Sequence, residues 1–227
     1  KREGAVVRSY VYDDSLAGNG NRTKEKDGSG AVIAVGSYDA QDRLTSYGGT
    51  AYEWTSNGEL ARRIAPGPDT TRTTYDELGN LTGAHLPGVA GDSLTYLIDA
   101  SDRRVGRFVN GQRTHTWLYA NQLNIVAELE GDGALRHRYV YGTQAHVPDL
   151  LVHADTVYRL ITDHLGSVRA LIRVSDGEIA QRIDYDAWGV RTLDTNPGWQ
   201  SPGFAGGLTD TSTGFVRFGA RDFVATV

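Results

Sequence analysis

A tyrosine-led unit returns about every twenty residues along the chain, and this repeat limits the folds open to it. The tyrosines that begin these units are Tyr38, Tyr52, Tyr75, Tyr96, Tyr119, Tyr139, Tyr158 and Tyr185. Each is followed by a β-favouring run, a turn carrying Asp, Asn or Gly, and a second run that alternates apolar and polar residues. A single hairpin cannot bury a face alone, so the repeat predicts that neighbouring hairpins stack side by side.

Turn signals separate the strand-like runs. They read "SNGE" at 56–59, "LGNL" at 78–81, "VNGQ" at 109–112, "EGDGA" at 130–134 and "SDGE" at 175–178. The 28 glycines in 227 residues exceed the usual share of about 7%. The one helix-like stretch, "SDRRVGRF" at 101–108, is weakened by Gly106. The predicted fold class is therefore all-β, an extended, curved antiparallel sheet of stacked hairpins.

Two proline- and glycine-rich stretches interrupt the repeat, at 64–72 and 194–207. The second predicts a boundary between repeat hairpins over 1–193, which include a hairpin at 161–191, and a terminal unit over 194–227. The polar stretch 13–30 is predicted to be an exposed loop between hairpins.

Several classes of function are disfavoured by the sequence. The net charge is −5, without a clustered basic face, so no direct nucleic-acid partner is expected. "GNGN" at 18–21 lacks the context of a phosphate loop, the glycine-rich turns lack the ligand spacing of calcium loops, and no G-x-S-x-G string occurs. The six histidines show no zinc spacing and there is no cysteine. No cofactor and no metal are predicted, and no run approaches the roughly 18 apolar residues of a membrane span.

The segment "GFVRFGARDFVATV" at 214–227 places Arg221 and Asp222 after a strand-like run. An aspartate beside a strand is usually half of a surface ion pair. An aspartic mechanism needs two carboxylates whose pKa values are pushed apart. No second carboxylate follows Asp222 in the five remaining residues.

The units "YDELGNLTG" and "YDAQDRLTS" resemble the Rhs/YD-repeat family. The long string 158–191, followed by "PGFAGGLTDTSTGFVRFGARDF" at 202–223, resembles the core region that closes the carboxyl end of Rhs shells. This resemblance implies a hollow β-shell that encloses a toxic C-terminal polypeptide. It also implies that the turn at 164–167 belongs to the wall, where Gly166 serves the turn and no catalysis occurs.

The resemblance further implies aspartic self-cleavage, for which Arg221 and Asp222 match the family's Arg-Asp pair. Phe223, Val224 and Ala225 depart from the tyrosine, aspartate and proline that follow in the family motif. The second catalytic aspartate and the cut site are expected beyond residue 227. The chain alone is therefore expected to be inactive, with Asp222 as half of a site.

The implied partners are the rest of the shell and the enclosed toxin, in a secreted or cell-surface bacterial protein whose export signal lies outside this chain. The absence of methionine at position 1 suggests a fragment of a longer chain. Open sheet edges also predict strand-edge dimerisation of such a fragment.

An alternative is a cell-surface adhesion or carbohydrate-contact module without toxin or proteolysis. It requires an exposed aromatic face built from Trp54, Trp117, Trp188, Trp199 and the tyrosines. Cross-strand packing is the favoured interpretation of these residues, because the tyrosines recur with the repeat. A freestanding enzyme is disfavoured, since no complete nucleophile, metal or cofactor motif occurs.

Overall fold

The computed structural model describes residues 6–13, 18–67, 69–88 and 92–225. Within these ranges the regular structure consists of strands and one 3₁₀ turn at Phe204–Gly206. The strands are β1 Arg8–Tyr12, β2 Arg22–Asp27, β3 Val32–Tyr38, β4 Leu44–Tyr47, β5 Thr50–Trp54, β6 Leu60–Ile64, β7 Thr70–Tyr75, β8 Leu81–His85, β9 Ser93–Ile98, β10 Arg104–Val109, β11 Gln112–Tyr119, β12 Ile125–Glu130, β13 Leu135–Val140, β14 Leu150–His153, β15 Thr156–Thr162, β16 Val168–Arg173, β17 Ile179–Tyr185, β18 Arg191–Asp194, β19 Leu208–Thr209, β20 Phe215–Phe218 and β21 Arg221–Val224.

The strands pair with their neighbours along the chain. Strands β1 to β18 are assigned to an 18-stranded antiparallel sheet, and β19 to β21 form a separate three-stranded sheet. Successive pairing is antiparallel from β1 to β7 and from β9 to β18. The prediction of an all-β protein made of sequential antiparallel hairpins is confirmed.

The described chain divides into two compact units. Unit 1 contains the strands up to residue 74, together with residues 85–88, and unit 2 contains residues 75–84 and 92–225. Strand β18 ends at Asp194 and the three-stranded sheet begins at Leu208. The predicted boundary between 1–193 and 194–227 falls at the last residue of β18 and stays a prediction.

An aspartate closes the repeated turn that gives the sequence its period. In the example after β7, one carboxylate oxygen of Asp76 accepts hydrogen bonds from the backbone N–H groups of Leu78 and Asn80, at 2.9 and 2.8 Å. The Asp76 N–H donates to the Asn80 carbonyl, and Gly79 takes a left-handed φ of 80°. Six aspartates share this pattern, namely Asp27, Asp39, Asp76, Asp99, Asp163 and Asp186. The tyrosine-aspartate repeat is thus a repeat of side-chain-held turns.

The predicted wall hairpin has the same construction. Residues 163–167 join β15 to β16, with Gly166 at a φ of 84°. A Cβ on Gly166 would lie 2.9 Å from a methyl group of Val147, so both backbone conformation and space favour glycine here. Ser167 is buried, and its hydroxyl accepts a hydrogen bond from the Ala205 N–H.

Replacing Asp99 with alanine is expected to lower the free energy of unfolding by about 1–3 kcal/mol, because one carboxylate serves the Ser101 and Arg103 N–H groups and the Arg103 side chain. Partial burial raises the pKa of Asp99, but the hydrogen bonds from Arg103 and Ser101 hold it below its usual value. Urea denaturation measures the loss. Asp155 is exposed in a different turn, and the control Asp155→Ala is expected to change the free energy of unfolding by no more than about 0.5 kcal/mol. Equal losses in the two variants would contradict this role for the turn.

The core of unit 2 lies on one face of its strands. Its buried members are Trp117, Ile125, Tyr139, Leu151, Tyr158, Leu160, Val168, Leu171 and Leu208. Partly buried repeat tyrosines bond to the backbone of an earlier strand, as Tyr119 does to the Arg104 carbonyl and Tyr141 to the Ile125 carbonyl. These contacts agree with the cross-strand packing interpretation of the aromatic residues.

The stretch at 101–108, whose helical character Gly106 weakens, forms a turn followed by strand β10, which pairs with β9 and β11. One local prediction needs correction. Residues 22–27 of the predicted loop form β2, which pairs with β1 and β3. Arg22 at its start is buried, with its guanidinium 4.2 Å from the centre of the Tyr47 ring. Residues 14–17 of that predicted loop lie outside the described residues.

Candidate functional site around the Arg-Asp motif

The terminal hairpin carries Asp222. Strands β20 and β21 pair so that Arg217 faces Asp222 and Phe218 faces Arg221, across the turn residues Gly219 and Ala220. This register follows from a two-residue loop between two short β-favouring runs. It places an arginine and an aspartate side by side on the same face of the small sheet.

Asp222 is a buried carboxylate held by two buried arginines. Its side chain is 5% exposed, while those of Arg104 and Arg217 are 1% and 2% exposed. One carboxylate oxygen lies 2.8 Å from Nη2 of Arg104 and the other lies 2.8 Å from Nη1 of Arg217. Charge-assisted hydrogen bonds of this length fix the orientation of the carboxylate.

Arg217 connects this carboxylate to the turns of the repeat. Its Nη2 donates to the side-chain oxygen of Asn80 at 2.6 Å and to the Asp102 carbonyl at 2.7 Å, and its Nε donates to the Gly219 carbonyl. Asn80 belongs to the turn closed by Asp76, and Asp102 to the turn closed by Asp99. The Arg-Asp hairpin is therefore anchored on two turns of the repeat.

Arg104 leads from Asp222 to a second buried carboxylate. Its guanidinium lies 3.7 Å from the centre of the Tyr96 ring, in cation–π contact. The Tyr96 hydroxyl donates to Asp210 at 2.8 Å, and Nε of Arg107 donates to the same Asp210 oxygen at 2.8 Å. Burial raises the pKa of Asp210, but Arg107 and Tyr96 outweigh it and hold this pKa below its usual value. Burial and the nearby Asp210 raise the pKa of Tyr96.

A third carboxyl group, Glu128, lies in the same unit. Tyr139 donates a hydrogen bond to it at 2.8 Å, and Arg136 and His115 approach it at 3.9 and 3.6 Å. Burial raises the pKa of Glu128 despite these partners. The surroundings of Glu128 and Asp210 therefore shift the pKa values of these two carboxyl groups in opposite directions.

The two sequence-predicted site residues differ in environment. Asp222 joins the buried cluster, whereas Arg221 is exposed on β21. Sequence reasoning missed Arg104, Arg217 and Asp210. The hairpin sequence "RFGARD" contains a signal for Arg217. If Gly219 and Ala220 form a two-residue loop, Arg217 pairs with Asp222 across the hairpin. Arg104 precedes Asp222 by 118 residues, and no local pattern joins them.

Among the described residues, no group of three or more His, Asp or Glu side chains is arranged to hold a metal ion. Of the four tryptophans, Trp117 is buried and Trp54, Trp188 and Trp199 are half-buried. In the described part of the chain, no helix has the length and apolar character needed to cross a membrane.

Sequential antiparallel hairpins with aspartate-closed turns are typical of YD-repeat proteins. The family model described as Teneurin YD-shell matches residues 3–227, so the chain belongs to this family. The resemblance drawn from the sequence is confirmed.

Known relatives include bacterial and animal proteins. The tRNA3(Ser)-specific nuclease WapA of Bacillus spizizenii is 29% identical over 193 residues, which cover 84% of this chain and 8% of that protein. Teneurin-3 of Danio rerio is 27% identical over 220 residues, which cover 94% of this chain and 8% of that protein. A crystal structure described as TcdB2-TccC3-TEV matches 96% of this chain and 12% of that chain, with 14% identity and a TM-score of 0.49. The chain spans about 8% of the length of these curated relatives.

Proposed function

We propose that the chain is a wall segment of a YD-repeat shell that encloses a toxic C-terminal polypeptide. Membership of the YD-shell family over residues 3–227 supports the shell. The enclosed toxin is supported by relatives named as WapA nucleases, of whose length this chain covers only 8%. The partners are the remainder of the shell and the cargo, in a secreted or cell-surface bacterial protein.

The chain also supplies Asp222 as half of an aspartic self-cleavage site. The burial of Asp222 between Arg104 and Arg217 is the observation that carries this proposal. The two guanidinium groups fix the orientation of the Asp222 carboxylate, and an aspartic mechanism needs such an oriented carboxylate beside a second one. In this proposal the second carboxylate comes from outside residues 1–227. Arg221 precedes Asp222 on β21 and its side chain is exposed, so in this proposal it contacts the segment to be cut.

The test is self-cleavage of a protein extended by about 40 residues beyond Val227, a length of two repeat periods. Intact mass and gel analysis are expected to detect a cut in the parent protein, none in Asp222→Asn, and a slower cut in Arg221→Ala. Enclosure is tested in the full-length protein, where the released C-terminal fragment is expected to elute together with the shell on size-exclusion chromatography.

Asp184→Asn is the matched control. Asp184 is a partly exposed aspartate of unit 2 paired with Arg169 and Arg182, so its replacement is expected to leave cleavage unchanged. Each variant is first checked for a cooperative unfolding transition, so that loss of folding is not read as loss of catalysis. A folded Asp222→Asn protein that still cuts itself would remove Asp222 from the mechanism, and a fragment that elutes alone would count against enclosure.

The adhesion or carbohydrate-contact alternative lacks a supporting aromatic face. None of the four tryptophans is exposed in the described part of the chain. Strand-edge dimerisation likewise stays a prediction without a supporting contact.

A further inference from the structure

A polar cavity lies beside the Asp222 cluster, within unit 2. Its volume is about 170 Å³, and it is partly open to solvent. Its walls come from strands β10 to β12 and from the segment 198–212, with Thr211 and Ser212 exposed at the rim. A cavity of about 150 Å³ is large enough for benzene, so this one accommodates a small organic group.

The cavity contains a buried side chain without hydrogen-bond partners. Gln200 is 2% exposed, and both its Oε1 and its Nε2 atoms lack a partner. Nδ1 of His115, which also lines the cavity, has none either. Buried polar groups are normally satisfied, because leaving them unpaired costs free energy. The side-chain amide of Gln200 can therefore form hydrogen bonds with a bound molecule that has both an acceptor and a donor.

The charges around the cavity are already balanced. Arg107 is paired with Asp210, and Arg104 with Asp222, each at 2.8 Å. Glu128, on the same wall, accepts a hydrogen bond from Tyr139 at 2.8 Å and lies 3.9 Å from Arg136. An anionic or cationic ligand would add an unpaired charge to a desolvated place, so a neutral ligand fits better.

We propose that this cavity binds a neutral carboxamide, which pairs with the side-chain amide of Gln200 through two hydrogen bonds. The Gln200 Nε2 donates to the ligand's carbonyl oxygen, and the ligand's NH₂ donates to Gln200 Oε1. The ligand is either a small free amide or an asparagine or glutamine side chain presented by a peptide. This inference goes beyond the proposed function and does not depend on self-cleavage.

The test is a titration monitored by the indole N–H signals of the four tryptophans in NMR spectra, in a protein that contains all of residues 1–227. Trp117 lines the cavity and its Nε1–H donates to Ser201, so its signal reports on occupancy. Trp117→Phe assigns the signal. Propionamide is the free-amide probe, and the tripeptides Gly-Asn-Gly and Gly-Gln-Gly are the peptide-borne probes. Propionate and glucose test for an anionic and a polyhydroxylated ligand.

We expect at least one amide probe to give a saturable shift of the Trp117 signal, with propionate and glucose giving none. Gln200→Met, which keeps the side-chain length but removes both polar atoms, is expected to weaken amide binding by about tenfold or more, equivalent to the loss of at least one net hydrogen bond. Gln144 is an exposed glutamine of the same unit, and Gln144→Met is expected to bind as the parent does.

The titration of the parent protein tests carboxamide binding even if Gln200→Met fails to fold. The proposal is overturned if no amide gives a saturable shift, if propionate or glucose binds as well as the amides, or if a folded Gln200→Met protein retains full affinity. A crystal soaked in propionamide that shows only ordered water beside Gln200 would also overturn it.

Discussion

Replacing Asp222 with alanine is expected to lower the free energy of unfolding by about 3–5 kcal/mol, because it leaves two buried guanidinium groups without their carboxylate. Arg104 and Arg217 are almost completely buried, and each makes a 2.8 Å contact with Asp222. Arg217 keeps its bonds to Asn80 and Asp102, whereas Arg104 retains only the face of the Tyr96 ring. The loss is measured as the shift of the urea unfolding midpoint at constant slope.

Asp184→Ala is the comparison for this measurement. Asp184 pairs with Arg169 and Arg182 near the surface, and such pairs contribute up to about 1 kcal/mol. Asp222→Asn keeps an oxygen acceptor, so its loss in free energy of unfolding is expected to lie between those of Asp222→Ala and Asp184→Ala. If Asp222→Ala costs no more than Asp184→Ala, the buried cluster does not stabilise the folded chain.

Acidification from pH 7 to pH 4 is expected to destabilise the chain through two buried histidines. Burial and the adjacent Arg136 lower the pKa of His115 to about 4. Burial also lowers the pKa of His137 to about 4, although its hydrogen bond to the Trp199 carbonyl opposes this shift. In the unfolded chain both groups titrate near 6.5, so the unfolded state binds more protons between these values. The contribution of the two neutral histidines to the free energy of unfolding is fully present above pH 6.5. It is lost as the pH falls toward 4, by about 3 kcal/mol for each histidine.

The opposing contribution of Glu128 makes a variant comparison necessary. Burial raises the pKa of this carboxyl group, so its protonation favours the folded state as the pH falls. His137→Gln is therefore compared with the parent protein in urea unfolding at pH 7 and at pH 4.5. The variant is expected to lose less stability on acidification, while His164→Gln, at an exposed turn position, is expected to follow the parent. An unchanged pH dependence in His137→Gln would show that His137 does not titrate with folding.

The hairpin fold was predictable because its signals are local. Turn residues such as Asp76 and Gly79 determine φ and hydrogen bonding within five positions, and alternation determines which face is buried. Strand β2 escaped prediction because its sequence "RTKEKD" is polar. Its strand conformation depends on pairing with β1 and β3, which a local pattern does not reveal.

The site was predictable only in part. The sequence indicated Asp222 through its motif, and hairpin geometry accounts for Arg217. Arg104 and Asp210 belong to the cluster because the fold brings distant segments together. Their roles depend on burial and on contacts across more than a hundred residues, and periodicity contains no such information.

The turns closed by their own aspartates also bear on the order in which the chain folds. Because each strand pairs with the one just before it, most hairpins have low contact order and need little loop closure, so they can form while later residues are still being made. The Asp222 cluster is different, since it joins positions 118 residues apart. We expect the Asp222 cluster to form only after the hairpins of unit 2 have paired in their native register. A cut that requires Asp222 would therefore act as a checkpoint, releasing the downstream polypeptide only from a wall that has finished assembling.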